Sequence, residues 1–304
     1  MSYVVAIGEA LIDMIEGRCD GEPIYRPTPG GSPLNIAVGL ARLGVPVEFV
    51  GSFADDALGR RLREFLADNG VGLEGSVEVE ADTSLAVTTF EGPEPQFTFY
   101  GSPHSFGLLA PEHLPGALME EAAVIHCGSI SLLEEPVYRA ALAAFSVEGP
   151  KKTVDPNVRR SLIVDLDAYR SSLERLFAMA DLVKLSAYDA AVLYPGSPEE
   201  TARRIRQLGA GGVVVTLGAS GALGVLDDQM LRVGGREVEA VDTTGAGDAF
   251  MAALIAELLK GPSSPSQWGT ALEFAVDVSA LTCCSPGGAT AMPTREAIEA
   301  RFGR

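Results

Sequence analysis

The sequence predicts an α/β fold of three layers, α/β/α, with a mostly parallel central sheet covered by helices on both faces and a small additional β-sheet as a lid. Three observations predict it. Short β-branched runs alternate with helical patterns along most of the 304 residues, and that alternation builds parallel strands joined by covering helices. Hydrophobic residues make up 47% of the chain, enough for a large core and too many for a disordered polypeptide. Two segments, Leu11 to Arg26 and Leu85 to Tyr100, read as strands with no helix between them, so they stand outside the main rhythm.

The expected strands are Tyr3 to Ile7, Val45 to Val50, Val124 to Cys127, Thr153 to Asp155, Leu182 to Leu185 and Val213 to Leu217. The expected helices are Pro33 to Leu43, Leu58 to Asn69, Pro136 to Phe145, Ser171 to Ala180, Glu199 to Leu208 and Glu273 to Cys284. Ser32 before Pro33 reads as an N-cap followed by the first helical residue, and Gly44 as the stop. No repeat, low-complexity tract or linker divides the chain, so residues 1–304 read as one domain with lid segments at about 11–30 and 84–104. An antiparallel flap over the carboxyl ends of the strands would close a ligand cleft there; two ordinary edge hairpins fit the same pattern.

A net charge of −18, from 41 acidic and 23 basic residues, opposes nucleic acid and anionic membrane as partners. An anionic nucleotide would need local positive charge, for which Arg159, Arg160 and Lys184 are candidates. The chain enters a strand without a basic, apolar leader and has no run approaching the ~20 apolar residues of a membrane span. Cys19, Cys127, Cys283 and Cys284 lack metal-ligand spacing and read as buried reduced thiols of a cytoplasmic protein. His104, His113 and His126 form no catalytic pattern and read as surface or core residues.

The most informative stretch runs from Asp242 to Ile255. It follows a β-like run, Glu237 to Val241, turns through Gly245-Ala246-Gly247, and enters an apolar helix with Asp248 in its first turn. Small residues leave the N–H groups of a helix start open, and the positive end of the helix dipole suits a phosphate. The same dipole is expected to keep Asp248 ionised and able to accept a proton. Taken alone, this pattern also fits a tight turn with an Asp capping a helix. Other phosphate-binding arrangements are missing: no lysine sits in a Walker A context, protein-kinase signatures are absent, and Gly8-Glu9-Ala10-Leu11-Ile12-Asp13 stands where a dinucleotide fingerprint would follow the first strand.

Upstream, Gly30-Gly31-Ser32-Pro33-Leu34-Asn35 pairs two glycines with an amide suited to sugar hydroxyls. The whole Asp242–Ile255 stretch and this second motif resemble the two signatures of the ribokinase-like carbohydrate kinases. Ala54 departs from the first signature's final Gly. The resemblance spans essentially the entire chain. It implies phosphorylation of a sugar hydroxyl by ATP, with Asp248 as base, the Gly245, Ala246 and Gly247 amides on the developing charge, and Mg²⁺ bridging the phosphates. It places Asp13, Gly30, Gly31, Asn35 and Asn157 against the sugar, although Asp13 alone would read as a solvated turn residue. Asp155-Pro156-Asn157-Val158-Arg159 resembles a fructokinase segment that sets Arg159 against the transferring phosphate; a surface salt bridge is the alternative. Lys184, Ser186, Thr216, Gly218, Gly221 and Gly288 are implied on the nucleotide side, where Thr216 to Gly221 also reads as a plain turn. Ser186-Ala187-Tyr188-Asp189 replaces the family's Asn-x-x-Glu, which orients Mg²⁺ through water, leaving Asp189 as the carboxylate. Carbonyls near Asp242, Thr244 and Ser285 to Gly288 are implied to hold K⁺. Val276 replaces an Asn usual on the adenine side.

Gly8-Glu9, Gly31-x-Pro33-x-Asn35, Asp155 to Arg159 and Phe97-x-Phe99-Tyr100 look closest to fructokinases. Gly101 to Leu108 lacks the Arg and Ala-Asp pair common there, which leaves ribose, 2-keto-3-deoxygluconate and nucleosides open. A non-catalytic sugar sensor is the reading from another class. The family's lids often pair between subunits, which implies a homodimer.

Overall fold

The structure, a computed structural model, describes residues 2–91, 94–226 and 228–303. Met1, Gly92, Pro93, Asp227 and Arg304 lie outside the described residues, as do the side chains of Pro23, Phe90, Glu91 and Glu94 to Phe97, which the lid prediction included.

In chain order the first half comprises β1 (Val4–Ile7), β2 (Leu11–Cys19), β3 (Glu22–Gly30), α1 (Ser32–Arg42), β4 (Val47–Val50), β5 (Ser52–Ala54), α2 (Ala57–Asp68), β6 (Val77–Val79), β7 (Leu85–Glu91), β8 (Glu94–Tyr100), α3 (Gly116–Glu121), β9 (Val124–Gly128) and α4 (Glu135–Phe145). The second half adds β10 (Lys151–Asp155), α5 (Leu166–Met179), β11 (Leu182–Ser186), α6 (Ala187–Leu193), α7 (Pro198–Gln207), β12 (Val213–Thr216), β13 (Ala222–Leu226), β14 (Gln229–Val233), α8 (Ala246–Leu258), α9 (Pro265–Thr282) and α10 (Arg295–Phe302).

Eight strands form the main sheet in the order β14-β13-β12-β11-β10-β9-β1-β4. The six from β12 to β4 are parallel and the last two, β13 and β14, are antiparallel. Successive strand residues point to opposite faces, and the core divides accordingly. Val4, Ala6, Val47 and Phe49 face the side covered by α1, α2, α8, α9 and α10. Val5, Ile7, Val50 and Ile125 face the side covered by α3 to α7. The predicted three layers are therefore present. Each predicted strand lies in the sheet, with Val45 to Val50 shortened to Val47–Val50.

Local chemistry sets the helix starts. Asp56 accepts from Gly59 N at 2.7 Å to cap α2 and also takes Thr83 N at 2.8 Å, tying that helix to the segment before β7. Ser197 and Glu200 form a reciprocal capping box at α7. At α1 the expectation fails: the N-cap is Gly31, and Ser32 is the first helical residue with no capping bond from its side chain.

The segments predicted as a lid form a separate four-stranded sheet, β3-β2-β7-β8. Its outer pairs are antiparallel, but β2 and β7 run parallel, Ile12 opposite Leu85. The expectation of a fully antiparallel flap is thus corrected, because a long crossover through α1 and α2 returns the chain in the same direction. A two-stranded parallel pair, β5 with β6, was not anticipated. The β-like run Glu237 to Val241 is not a strand: these residues are irregular, held instead by Val241 N and Asp242 N donating to Cys283 O. Cys127 is buried, Cys283 and Cys284 are partly buried, and Cys19 is exposed, against the expectation of four buried thiols.

Candidate active site

A cleft of about 1170 Å³ lies between the carboxyl ends of the parallel strands and the small sheet, where open α/β sheets bind ligands. It is lined by Asp13, Gly31, Asn35, Asn157, Arg159, Lys184, Ser186, Asp189, Thr216, Gly218, Gly221, Asp242, Thr244, Gly245, Ala246, Gly247 and Asp248. The other two predicted residues lie just behind: Gly30 packs on the Asp13 carboxylate, and a Cβ on Gly288 would stand 3.0 Å from Asn35 Nδ2. The structure therefore brings the predicted set together across more than two hundred positions of sequence.

Asp248 sits in the first turn of α8, a helix buried along nearly its whole length. Gly245 is its N-cap in the left-handed region, φ +77°, and a Cβ there would approach Gly288 Cα to 2.9 Å. That position needs glycine on both counts. First-turn amides have no carbonyl four residues back, but the Ala246 N–H already donates to Thr243 O at 3.2 Å. The Asp248 carboxylate accepts from Ser32 Oγ at 2.6 Å and Asn157 Nδ2 at 3.4 Å on Oδ1, and from Asn35 Nδ2 at 2.8 Å on Oδ2. Burial raises its pKa, while Ser32, Asn35, Lys184 and Arg159 pull it back. The simple expectation that the helix dipole decides its ionisation is corrected: desolvation is the largest influence.

Two further acids line the pocket. Asp13, on β2, is pushed up to about 6 by burial, with the Arg159 charge opposing and Asp248 reinforcing the rise. Glu9 is 1% exposed and is pushed up to about 7 by burial, offset in part by donors that include Ser129, Ser131 and Ser32. Its carboxylate takes Ser32 N at 3.0 Å and Ser131 N at 3.3 Å, which pins the start of α1 to the turn after β9. Gly31 permits this closeness, since a Cβ there would meet Glu9 O at 2.5 Å.

After β10, Asn157 turns back with φ +38° and bridges two groups. Its amide nitrogen faces Asp248, and its amide oxygen accepts from Arg159 Nη1 at 2.7 Å. The exposed Arg159 forms no salt bridge among the described residues; its donors go to Asn157 and the Val158 carbonyl. Beneath the α8 turn, Lys184 Nζ pairs with Asp155 Oδ2 at 2.8 Å, both buried. The paired carboxylates raise the Lys184 pKa against the effect of burial, so the ammonium stays charged under the Gly247 turn, 3.0 Å from where a Gly247 Cβ would sit.

On the far side, Ser186 and Asp189 form a capping box at the start of α6: Asp189 N donates to Ser186 Oγ and Asp189 Oδ2 accepts from Ser186 N at 2.7 Å. Asp189 Oδ1 takes Val158 N at 2.8 Å. The Thr216 to Gly221 segment is a short 3₁₀ turn closed by Leu217 N to Gly221 O, 2.8 Å. Asp242 accepts from Thr244 N and Gly287 N, both 2.9 Å, joining the turn before α8 to the loop after α9. Among the described residues no group of three or more His, Cys, Asp or Glu could hold a metal. His126 is buried against Thr153 Oγ1 at 3.0 Å and does not line the cleft.

Sequence reasoning missed Ser32 and Glu9 as members of the site, and also Ser129, Arg236 and Tyr188 along its walls. Ser32 was read as a cap, and Glu9 only as part of a fructokinase-like pair. An acidic residue just past the first strand, followed by Gly-Gly-Ser at a helix start, was the available signal.

Residues 1–295 match the model of the "pfkB family carbohydrate kinase". The chain is 35% identical to fructokinase-1 of Oryza sativa subsp. japonica over 305 residues, 96% of this chain and 94% of that protein. A fructokinase from Xylella fastidiosa solved with bound ATP superposes with a TM-score of 0.91 at 27% identity, covering 99% of this chain and 98% of that one. A fructokinase from Vibrio cholerae O395 solved with fructose, ADP and calcium gives 0.88 at 29% identity, covering 99% and 98%.

Proposed function

Because this chain belongs to the pfkB family of carbohydrate kinases, we propose that it transfers the γ-phosphoryl group of ATP to a hydroxyl of fructose. The observation that carries this reading is the Asp248 carboxylate, buried in the first turn of α8 and held by Ser32, Asn35 and Asn157 at the bottom of the cleft. Fructose is favoured because similar chains are fructokinases, one of them solved with that sugar.

Asp13, Gly31, Asn35 and Asn157 hold and orient the sugar on the α1 side. Asp248 takes the proton from the attacking hydroxyl, a role worth typically about 10² to 10⁴ in rate. The Gly245 to Gly247 turn, the α8 dipole and the Lys184 ammonium below it favour negative charge at the transferring group. Arg159, fixed by Asn157, adds a guanidinium to the same region. Thr216, Ser186 and the Gly218 to Gly221 turn border the nucleotide side. The small sheet serves as a lid that excludes water, residues 1–304 act as one catalytic unit, and two lids pair in a homodimer.

For Mg²⁺, the donor chemistry fits entry with the nucleotide and not a protein cage, since Asp189 already has one backbone amide on each oxygen. Mg²⁺ would neutralise phosphate charge during transfer. K⁺ would be held near Asp242 and Thr244, where two loops are joined through the Asp242 carboxylate. Among the described residues no helix is long and apolar enough to cross a membrane; a cytoplasmic location is the corresponding proposal.

The test is phosphorylation of fructose, ribose, 2-keto-3-deoxygluconate and adenosine at equal concentration, with ATP, Mg²⁺ and K⁺. Fructose should lead. Preference for another compound removes fructose and leaves the kinase. Sugar binding without any ATP turnover would make the protein a sensor.

A further inference from the structure

The Asp248 carboxylate is unusual in how completely the protein itself occupies it. Oδ2 has the Asn35 amide, and Oδ1 has two donors of unequal quality, Ser32 Oγ at 2.6 Å and Asn157 Nδ2 at 3.4 Å. A hydroxyl at 2.6 Å is in the range of charge-assisted bonds, about 2.5–2.7 Å, which are roughly twice as strong as neutral ones. We propose that Ser32 is a positioning residue for this reaction, its hydroxyl fixing the orientation and charge of the Asp248 carboxylate before a sugar hydroxyl arrives.

The placement of Ser32 supports this. It is the first residue of α1, one place past the Gly31 N-cap, and its side chain is turned onto Asp248. Its own N–H is instead anchored on buried Glu9 Oε1 at 3.0 Å. Gly31 before it stands at φ +113° against the Glu9 carbonyl. The hydroxyl is thus presented from a backbone held on both sides, and it lines the cleft.

The surrounding charges do not make it redundant. From β11, Lys184 favours the carboxylate, but Asp155 on β10 already pairs with that ammonium. Arg159, after β10, also favours it, while its reach is shared with Asn157. Asp13 on β2 and Asp155 are coupled to Asp248 with the opposite sign. Behind α1 lies Glu9, and on α9, packed against α8, Asp277 is tied to Arg236 at 2.5 Å. With charges of both signs around the base, the Ser32 hydroxyl is the shortest of its donor contacts, and its bond strengthens when the carboxylate is ionised.

The inference rests on Asp248 being the base, so the experiment includes that residue. Ser32→Ala, Ser32→Thr and Asp248→Asn are assayed across pH with ATP and whichever sugar of the four-compound panel is turned over fastest. Loss of one hydrogen bond to a charged group corresponds to about one pH unit. In Ser32→Ala the acidic limb of kcat/KM should move up by about that amount. Below the limb the rate should fall roughly tenfold, and above it the rate should approach wild type. Ser32→Thr should keep the wild-type limb, and Ser32→Gly, which also lacks the hydroxyl, should repeat the shift on an independent backbone. An unmoved limb, or an equal loss at every pH, in folded Ser32→Ala and Ser32→Gly overturns the role of Ser32. Wild-type turnover in Asp248→Asn overturns the base reading beneath it; an inactive Asp248→Asn with an unmoved Ser32→Ala limb overturns only the inference.

Discussion

On the α1 side of the cleft, Ser32, Asn35 and Asn157 each donate to Asp248, and Glu9 and Arg159 hold two of those donors from behind. On the α9 side the wall is mostly small or apolar, with Gly218, Gly235, Val238, Ala240, Val276 and Ala280, and Arg236, Ser279 and Cys283 are the polar side chains among them. Under the proposed function the first rim would select through directed side chains, so losing one leaves a partner unsatisfied. The second would accept its ligand more through shape and backbone, so a single side chain would matter less. Asp248 and the glycine turn stand where the two meet.

The largest break in this contrast comes at the junction. Asp248→Asn should lower turnover by about 10² to 10⁴ while nucleotide affinity, measured by calorimetry, stays near wild type. Retained turnover in the folded variant would remove the distinction between junction and rim.

Next is the support behind the α1 rim. Burial pushes Glu9 from its usual 4.5 up to about 7, so between those values the folded state keeps a proton the unfolded chain has lost. Its contribution to stability is whole below about pH 4.5 and falls as pH rises to 7, by about 3 kcal/mol in total. Glu9→Gln should flatten the fall in Tm across that window. Parallel curves for the two proteins would show that Glu9 titrates normally. Within the rim itself, Asp13→Ala should raise the apparent KM for the sugar by about 1–3 kcal/mol, roughly 5- to 150-fold, with the KM for ATP nearly unchanged. Equal effects on both would merge the two rims. The smallest effect is expected opposite: Val276→Asn restores a polar contact worth about 1 kcal/mol and should tighten ATP roughly fivefold without touching sugar kinetics. A change in sugar KM from that variant would break the division.

The contrast also explains what was legible in the sequence. The parallel strands and their helices, α2 and α7 among them, declare themselves through local periodicity. The α8 turn was readable because its chemistry is contiguous, from Thr243 to Asp248. Ser32 was misread because the same hydroxyl that favours an N-cap is drawn to a carboxylate 216 positions away, a contact no local pattern encodes. Glu237 to Val241 has strand composition, yet no strand pairs with it, and its place is set by the Cys283 carbonyl. The parallel pairing of β2 with β7 escaped for a related reason: direction depends on the path between strands, not on the strands' own residues.

The 216-residue span between Ser32 and Asp248 also has a meaning for synthesis. As the chain leaves the ribosome, β1, α1, the small sheet and β10 emerge long before α8, and contacts this far apart in sequence close late and slowly. Asp248 and the Gly245 to Gly247 turn arrive together, on one segment near the end of the chain. Until α8 emerges, Ser32, Asn35 and Asn157 have no carboxylate to hold, and α1 lacks the helix it packs against.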